Sequence, residues 1–420
     1  LSTFLKIGTI VGLAIGILIM RPTLTMPALT KFVDGTGPVW TGNLFPFLFI
    51  TIACGAVSGF HALISSGTTP KMLANESQAC FIGYGGMLME SFVAIMALVA
   101  ACIIDPGVYF AMNSPMAVLA PAGTTDVVAS AAQVVSGWGF SITPDTLHQI
   151  ASEVGEQSII SRAGGAPTLA VGMAYILHGS LGGLMDVSFW YHFAILFEAL
   201  FILTAVDAGT RAARFMLQDL LGVISPGLKK TSSLPANLLA TALCVLAWGY
   251  FLHQGVVDPL GGINTLWPLF GIANQMLAGM ALMLCAVVLF KMKRQRYAWV
   301  ALLPTSWLLI CTLTAGWQKS FSPDTKVGFL AIANKFQAMI DSGNIPPQYT
   351  ESQLAQLVFN NRLDAGLTIF FMIVVVVLAL FSIKTALAAL KEDKPTAKET
   401  PYEPMPENLD AIETQAKGAH

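Results

Sequence analysis

The chain has 420 residues, a formal net charge of −2 and a mean hydropathy of +0.68. Hydrophobic residues make up 55% of it and charged residues only 11%, whereas a soluble domain has roughly 25% charged residues. This composition predicts an integral membrane protein and excludes an ordinary soluble domain. The near-neutral charge, without a basic patch, also argues against nucleic acid as a partner.

Eight apolar segments of the chain are long enough to cross a bilayer as helices. The last one, residues 366–383, contains no charged residue over 18 positions, which meets the length that a transmembrane helix needs. The sequence therefore predicts an all-α, polytopic membrane protein with a transmembrane domain over residues 1–390. The eight predicted spans are residues 3–20, 44–65, 81–104, 188–207, 235–252, 267–290, 297–316 and 366–383.

Two segments are predicted to lie outside these spans. Residues 105–186 are polar and rich in small side chains, so we interpret them as an outer loop or lid. Inside this loop, residues 163–181 are apolar but glycine-rich; they could be re-entrant, lie at the membrane interface or form a further span. Residues 391–420 contain four prolines and many charges, which predicts a disordered tail.

Orientation follows from the basic residues, which concentrate in cytoplasmic loops. Lys and Arg cluster in alternate loops of the eight-span arrangement, which places the carboxyl-terminal tail in the cytoplasm. The connection before the last span, including Lys319, then falls on the outer side. Because the chain begins at Leu1 and not at Met, we expect it to be the later part of a longer protein.

A polar stretch over residues 56–71, AVSGFHALISSGTTPK, ends the second predicted span. Lipid offers no hydrogen-bond partner to the polar groups of this stretch, so they must face protein or water. Ser58, His61 and Ser65 share a helix face, and nearby glycines make the backbone easy to break. Alternatively, the hydroxyls bond only to their own helix backbone. The candidate substrate-binding residues are Ser58, His61, Ser65, Ser66, Thr68 and Thr69.

Three carboxyl groups in predicted spans are candidates for proton coupling, because an ionisable group is costly inside a bilayer. Glu90 shares a helix face with small residues, which predicts that it points at a neighbouring helix, for proton transfer or for a structural hydrogen bond. Glu198 has no basic residue one turn away. Asp207 lies four residues before Arg211, so a salt bridge is as good an explanation as a coupling role.

Two adjacent carboxamides, Asn274 and Gln275, lie inside the sixth predicted span. They could bind a carboxylate or a backbone group of a substrate. They could equally tie two helices together, at about 0.6 kcal/mol for each hydrogen bond, and this structural explanation is slightly favoured.

No pattern of soluble enzyme chemistry occurs in the sequence. Nucleophile-elbow, zinc-protease, P-loop and dinucleotide-binding motifs are all absent. The six cysteines are scattered through apolar segments without the spacing of metal ligands. We therefore predict that the chain is not an enzyme and has neither a cofactor nor a metal.

Five separate segments carry a resemblance to a known family. They are SGFHALISSGTTPK, FIGYGGMLMESFVAIMALVAA, RAGGAPTLAVGMA, FWYHFAILFEALFILTAVDAGTRAARFMLQDLLG and WPLFGIANQM. Together they resemble the carbon starvation protein A family of bacterial inner-membrane transporters. The resemblance implies uptake of peptides, or of pyruvate with a proton. It further implies a LeuT-like inverted-repeat fold with broken helices and a missing multi-span amino-terminal portion.

These observations converge on a secondary transporter that imports pyruvate, or a comparably small carboxylate, by proton symport. In this hypothesis the 58–69 stretch and the two carboxamides hold the substrate. Glu90, Glu198 or Asp207 takes the coupling proton, and His61 orients or relays it. Two alternatives stay open: a peptide uptake transporter, and a membrane sensor that binds the nutrient without accumulating it.

Overall fold

The structure is a computed structural model that describes residues 2–121, 123–258, 262–347 and 349–397. Every regular element in these ranges is helical, which confirms the predicted all-α class. The helices are α1 (Ser2–Met20), α2 (Leu44–Ile52), α3 (Gly59–Gly67), α4 (Gln78–Cys102), α5 (Pro106–Asn113), α6 (Met116–Leu119), α7 (Val127–Gly137), α8 (Pro144–Val154), α9 (Gly165–Ser180), α10 (Val187–Ile224), α11 (Leu234–Val257), α12 (Gly262–Lys291), α13 (Trp299–Phe321), α14 (Phe329–Asp341) and α15 (Glu351–Lys391).

Seven helices in the described part of the chain are long and apolar enough to cross a membrane: α1, α4, α10, α11, α12, α13 and α15. Each of them contains most or all of one predicted span, so the polytopic architecture is confirmed. The remaining predicted span, residues 44–65, is not a single helix in the structure. The chain leaves α2 at Ile52 and begins α3 only at Gly59, and each of these helices has nine residues.

The break between α2 and α3 has a local cause. A single 3-10 turn, Ala53–Gly55, follows α2, and Ser58 then adopts an extended conformation. The Ser58 hydroxyl accepts a hydrogen bond from the His61 N–H, 3.1 Å away, which caps the first turn of α3. The glycine-rich polar stretch therefore breaks the span, as its composition suggested.

The connection before the last predicted span is more helical than expected. Helix α13 continues to Phe321, so Lys319 lies inside it and not in an outer loop. Helix α15 begins at Glu351, because Thr350 and Gln353 form a capping box. Its 41 residues extend well beyond the predicted span. Most of the predicted disordered tail, residues 398–420, lies outside the described residues.

The proposed outer loop contains a core helix. Helix α9, whose position the sequence left open, has 16 residues and packs against α1, α4 and α10. Six of its apolar side chains are buried: Ala170, Val171, Met173, Ala174, Ile176 and Leu177. A helix covered on three sides in this way belongs to the interior of the bundle and not to its interface with lipid.

The buried apolar residues form two main groups. One joins α1 to the helices from α4 to α10, and the other joins α2, α12, α13 and α15. Helix α14 packs against the beginning of α15 in a smaller third group. Helix α3 contacts both α10 and α12, so the broken segment lies where the two large groups meet.

Two glycines allow the broken segment to lie directly on α12. A Cβ atom added at Gly59 would collide with the backbone carbonyl oxygen of Asn274, and one added at Gly271 would collide with that of Ile50. Backbone atoms cannot move aside as a flexible side chain can. The close approach of both half-helices to α12 therefore requires a residue without a side chain at each position.

We expect Gly59→Ala to lower the free energy of unfolding by about 1–3 kcal/mol, because the new methyl group forces α3 away from α12. Thermal unfolding of the full-length protein in detergent measures this change. Gly249→Ala in α11 is the matched control, since a Cβ there meets no atom within 4 Å. Equal melting temperatures for the two variants would contradict the tight contact.

Candidate functional site

The break between α2 and α3 brings four polar side chains together. The Cys54 thiol donates a hydrogen bond to Ser58 Oγ (2.9 Å) and lies 3.7 Å from His61 Nδ1. On the other side of the ring, His61 Nε2 lies 3.2 Å from Glu90 Oε2. The predicted residues Ser58, His61 and Glu90 are therefore connected in one chain of contacts. An imidazole next to a carboxyl group can accept and return a proton.

The Glu90 side chain is more exposed than we predicted from the small residues on its helix face. Its side chain is 50% exposed and that of His61 is 53% exposed. A Cβ added at Gly83 or Gly86, on the same face of α4, would meet no atom within 4 Å. Within the described residues, α3 is therefore the helix that reaches Glu90, and it does so through His61.

The hydroxyl groups further along α3 are bonded to their own backbone. Ser65 and Ser66 donate to the Ala62 carbonyl, at 3.0 and 2.8 Å. Thr68 and Thr69 donate to the Ile64 carbonyl, at 3.0 and 3.2 Å. This arrangement matches the alternative in which the hydroxyls bond only to their own helix backbone, because each hydroxyl proton already has an acceptor. Their substrate-binding role stays a prediction.

Helix α12 provides partners for backbone groups that the break releases. Asn274 Oδ1 accepts a hydrogen bond from the Phe60 N–H at 2.8 Å, and Gln275 Nε2 donates to the Phe49 carbonyl. Trp267 Nε1 donates to the Thr51 carbonyl at 3.1 Å. Both carboxamides thus tie α12 to the broken helix, the explanation that the sequence slightly favoured. Asn274 Nδ2 is buried and has no hydrogen-bond partner among the described residues.

The other two candidate proton sites lie on α10 and are not part of this cluster. The Glu198 carboxyl group is partly buried and forms no ion pair with a described residue. Asp207 Oδ2 accepts a hydrogen bond from Arg211 at 2.8 Å, so the predicted salt bridge is present. Asp207 and Arg211 are both substantially exposed, which limits the contribution of this salt bridge to stability.

A cavity of about 1000 Å³ lies between the two large helix groups. Thr51 and Trp267 line it, so it reaches the end of α2, but the lining among the described residues includes none of the candidates from Ser58 to Thr69. The first helix group contributes Ala97, Tyr109, Asn113, Gly164, Thr168 and Leu169. The second contributes Lys319 and Asn361. Phe329, Phe336 and Tyr349 come from α14 and its connection to α15, Asp258 from the end of α11, and Trp40 and Thr41 from the α1–α2 connection.

Polar groups in the cavity wall are the functional candidates that the sequence did not reveal. Asn113 Nδ2 donates to Thr168 Oγ1 at 3.0 Å, and Asn113 Oδ1 accepts from the Gly164 N–H at 3.2 Å. Lys319 is buried in the opposite wall. Burial raises the pKa of the Tyr109 and Tyr349 phenols, which keeps both groups neutral donors.

A second buried polar cluster borders this cavity. Asn360 Nδ2 donates to Asp258 Oδ2 at 2.8 Å, and Asp364 lies near them at a small enclosed space of about 10 Å³. Such a space is the size of one water molecule. The capping box at Thr350 could have revealed these residues. A helix that starts there places Asn360 and Asn361 about one turn before Asp364, ahead of the apolar run.

Metal binding finds no support in the described residues, where no group of three or more His, Cys, Asp or Glu side chains could hold an ion. All six cysteines are free thiols. The site can therefore supply hydrogen bonds, charges and proton acceptors, but the part of the chain that the structure describes offers no assembled metal centre.

We expect Asn274→Ala to destabilise the protein by about 1–3 kcal/mol, because it leaves the Phe60 N–H without its acceptor. Chemical denaturation of the full-length protein in detergent measures the effect. Ser306→Ala is the control, since that hydroxyl is exposed and bonds only to the Leu302 carbonyl of its own helix. A loss no greater than that of the control would argue against the tie between α12 and α3.

Comparison with known proteins gives consistent matches. The family model "Carbon starvation protein CstA" matches residues 1–315. The "Peptide transporter CstA" of Escherichia coli K12 is 94% identical over the whole chain, which covers 60% of that relative. The "Pyruvate/proton symporter BtsT" of the same organism is 59% identical over 97% of the chain and 59% of the relative. No solved structure matches the chain.

The match persists in distant bacteria. The "Peptide transporter CstA" of Mycobacterium tuberculosis H37Rv is 50% identical over 94% of the chain and 54% of that relative. The chain thus spans a little more than half the length of the curated relatives cited here. Their names are those of transporters, in agreement with the prediction that the chain is not an enzyme. By the family model and these identities, the chain belongs to the carbon starvation protein CstA family.

Proposed function

We propose that this chain forms part of a secondary transporter that imports pyruvate, or a comparably small carboxylate, together with protons. The observation that carries this proposal is the cavity of about 1000 Å³ between the two helix groups. It is lined by buried polar side chains of helices that are otherwise apolar. We place the protein in the bacterial inner membrane, with its carboxyl terminus in the cytoplasm.

The polarity of the cavity is the reason for assigning transport to it. Buried ionisable and amide groups within membrane helices are costly unless they face a partner or a water-filled space. Asn113, Lys319 and Asn361 supply such groups from both helix groups, and Thr168 adds a hydroxyl. A polar site at the junction of two packed units is where a substrate could be exposed to each side in turn.

Proton coupling is assigned to the contact between His61 and Glu90. Their side chains lie 3.2 Å apart at a helix break, and both keep access to their surroundings. A carboxyl group and an imidazole in this position can exchange a proton when the broken helix moves. Glu198 is the second candidate, because it has no described ion-pair partner that would hold it ionised.

Peptide uptake is the second candidate function, and two observations favour it. The relative that is 94% identical is named a peptide transporter, whereas the pyruvate symporter is 59% identical. The cavity volume also lies at the upper end of the usual range for small-molecule sites, which leaves room for a short peptide. A membrane sensor would bind the same ligands without accumulating them.

Uptake by the full-length protein in liposomes separates these functions. With an inward proton gradient, we expect labelled pyruvate to accumulate above its external concentration, and an imposed sodium gradient alone to give no accumulation. Competition by unlabelled dialanine measures the peptide alternative. Uptake of dialanine without uptake of pyruvate would assign peptide transport, and binding of either ligand without accumulation would assign a sensor.

Glu90→Gln and Glu198→Gln test the proton carriers. We expect at least one of them to abolish alkalinisation of the outer medium on pyruvate addition, because a carboxamide cannot take up the coupling proton. The measurement is substrate-driven pH change outside liposomes that contain the full-length protein. Asp341→Asn is the control, since that exposed residue of α14 lies outside the cavity wall and bonds only to Gln337. Unimpaired coupling in both variants would remove these carboxyl groups from the mechanism.

A further inference from the structure

Lys319 is a buried cation in the wall of the central cavity. It lies in the last turn of α13 and is only 6% exposed, although most lysines extend into water. Its neighbour on the same helix, Ser320, is fully buried. The proposed function uses Lys319 only as one of several polar groups in the cavity wall, so its burial calls for a separate explanation.

Aromatic rings surround the ammonium group of Lys319. Its Nζ atom lies 5.1 Å from the ring centre of Trp40, 5.5 Å from that of Phe47 and 5.8 Å from that of Phe329. Ring faces attract a cation, by about 0.5–2 kcal/mol for each contact. They accept no conventional hydrogen bond, so the three N–H groups of the lysine are not satisfied by this cage.

No described residue forms an ion pair or a hydrogen bond with this charge, although the Asp324 carboxylate is near enough to attract it. The ion pairs of the described chain involve His61, Arg162 and Arg211, and Lys319 Nζ donates no hydrogen bond to a described group. A buried, unpaired ammonium costs several kcal/mol, and the cation–π contacts offset only part of that cost. The N–H groups of Lys319 are therefore available to a hydrogen-bond acceptor that enters from the cavity.

A second donor without a partner lies in the same wall. Trp40 Nε1 is buried and has no hydrogen-bond partner among the described residues. The indole ring also forms part of the cage, since Trp40 packs against Phe47 at a ring distance of 6.2 Å. The indole N–H can only donate, as can the ammonium group of Lys319. The two groups therefore lack the same thing, a hydrogen-bond acceptor.

We propose that Lys319 Nζ and Trp40 Nε1 form the subsite that binds the carboxylate of the transported substrate. A carboxylate has two oxygen atoms and a negative charge, which matches one cationic and one neutral donor. Both pyruvate and the carboxyl end of a peptide carry this group. The aromatic cage itself holds no cationic group of the ligand, because Lys319 already occupies it. This inference rests on the proposed transport function and deepens it.

The test compares the affinities of acids with those of the matching amides, which lack the carboxylate. Calorimetric titration of the full-length protein in detergent gives dissociation constants for pyruvate, pyruvamide, dialanine and dialanine amide. In Lys319→Gln, we expect binding of the acid to weaken about 10- to 100-fold, whereas binding of the matching amide stays unchanged. If the role of Lys319 were purely structural, its replacement would weaken the binding of the acid and of the amide equally. The acid that responds identifies the substrate class.

Two further variants complete the experiment. Trp40→Phe keeps an aromatic ring over Lys319 but removes the N–H donor, so we expect about a 3- to 10-fold loss for the acid alone. It tests the subsite even if Lys319→Gln does not fold. Lys335→Gln on α14 is the control, since that lysine is exposed and lies outside the cavity wall.

The outcomes distinguish the two levels of the proposal. If the unaltered protein binds none of the four compounds, the proposed substrate class fails. If it binds an acid and transports it, but the ratio of acid to amide affinity stays the same in both Lys319→Gln and Trp40→Phe, the carboxylate subsite is overturned while the transport function stands.

Discussion

The backbone groups released by the break between α2 and α3 must find partners inside the protein, because hydrocarbon offers them none. Helix α12 supplies these partners through Trp267, Asn274 and Gln275, which bond to the Thr51 carbonyl, the Phe60 N–H and the Phe49 carbonyl. Glycines at 59 and 271 let the backbones approach closely enough for these bonds. These contacts with α12 thus stabilise the broken segment α2–α3, which would otherwise be unstable in a membrane.

This constraint also positions the polar groups that carry the proposed function. The break places His61 next to Glu90, and the end of α2 reaches the central cavity through Thr51. The candidate proton site and the cavity are therefore parts of one structural unit. A substrate that changes the packing of α2 on α12 would also change the surroundings of the His61–Glu90 contact, which is the physical requirement for coupling two ligands.

Several polar side chains of the cavity are satisfied within their own wall, as Asn113 is by Thr168 and Asp258 by Asn360. The donors of Lys319 and Trp40 find no acceptor among the described residues. Satisfied groups shape a site and fix its rotamers, whereas unsatisfied ones provide binding energy for a ligand.

The sequence by itself determined the all-α membrane class and the seven long helices. It also indicated that the helix breaks within residues 44–65, and it named Ser58, His61 and Glu90 as candidate functional residues. These features depend on local hydrophobicity and backbone propensity, which can be read along the chain. Only the tertiary structure decided that α9 is a core helix, that Asn274 and Gln275 hold the broken segment and that Lys319 lies buried among aromatic rings. Those outcomes depend on which helices become neighbours, and residues as distant as Trp40 and Lys319 meet only after packing.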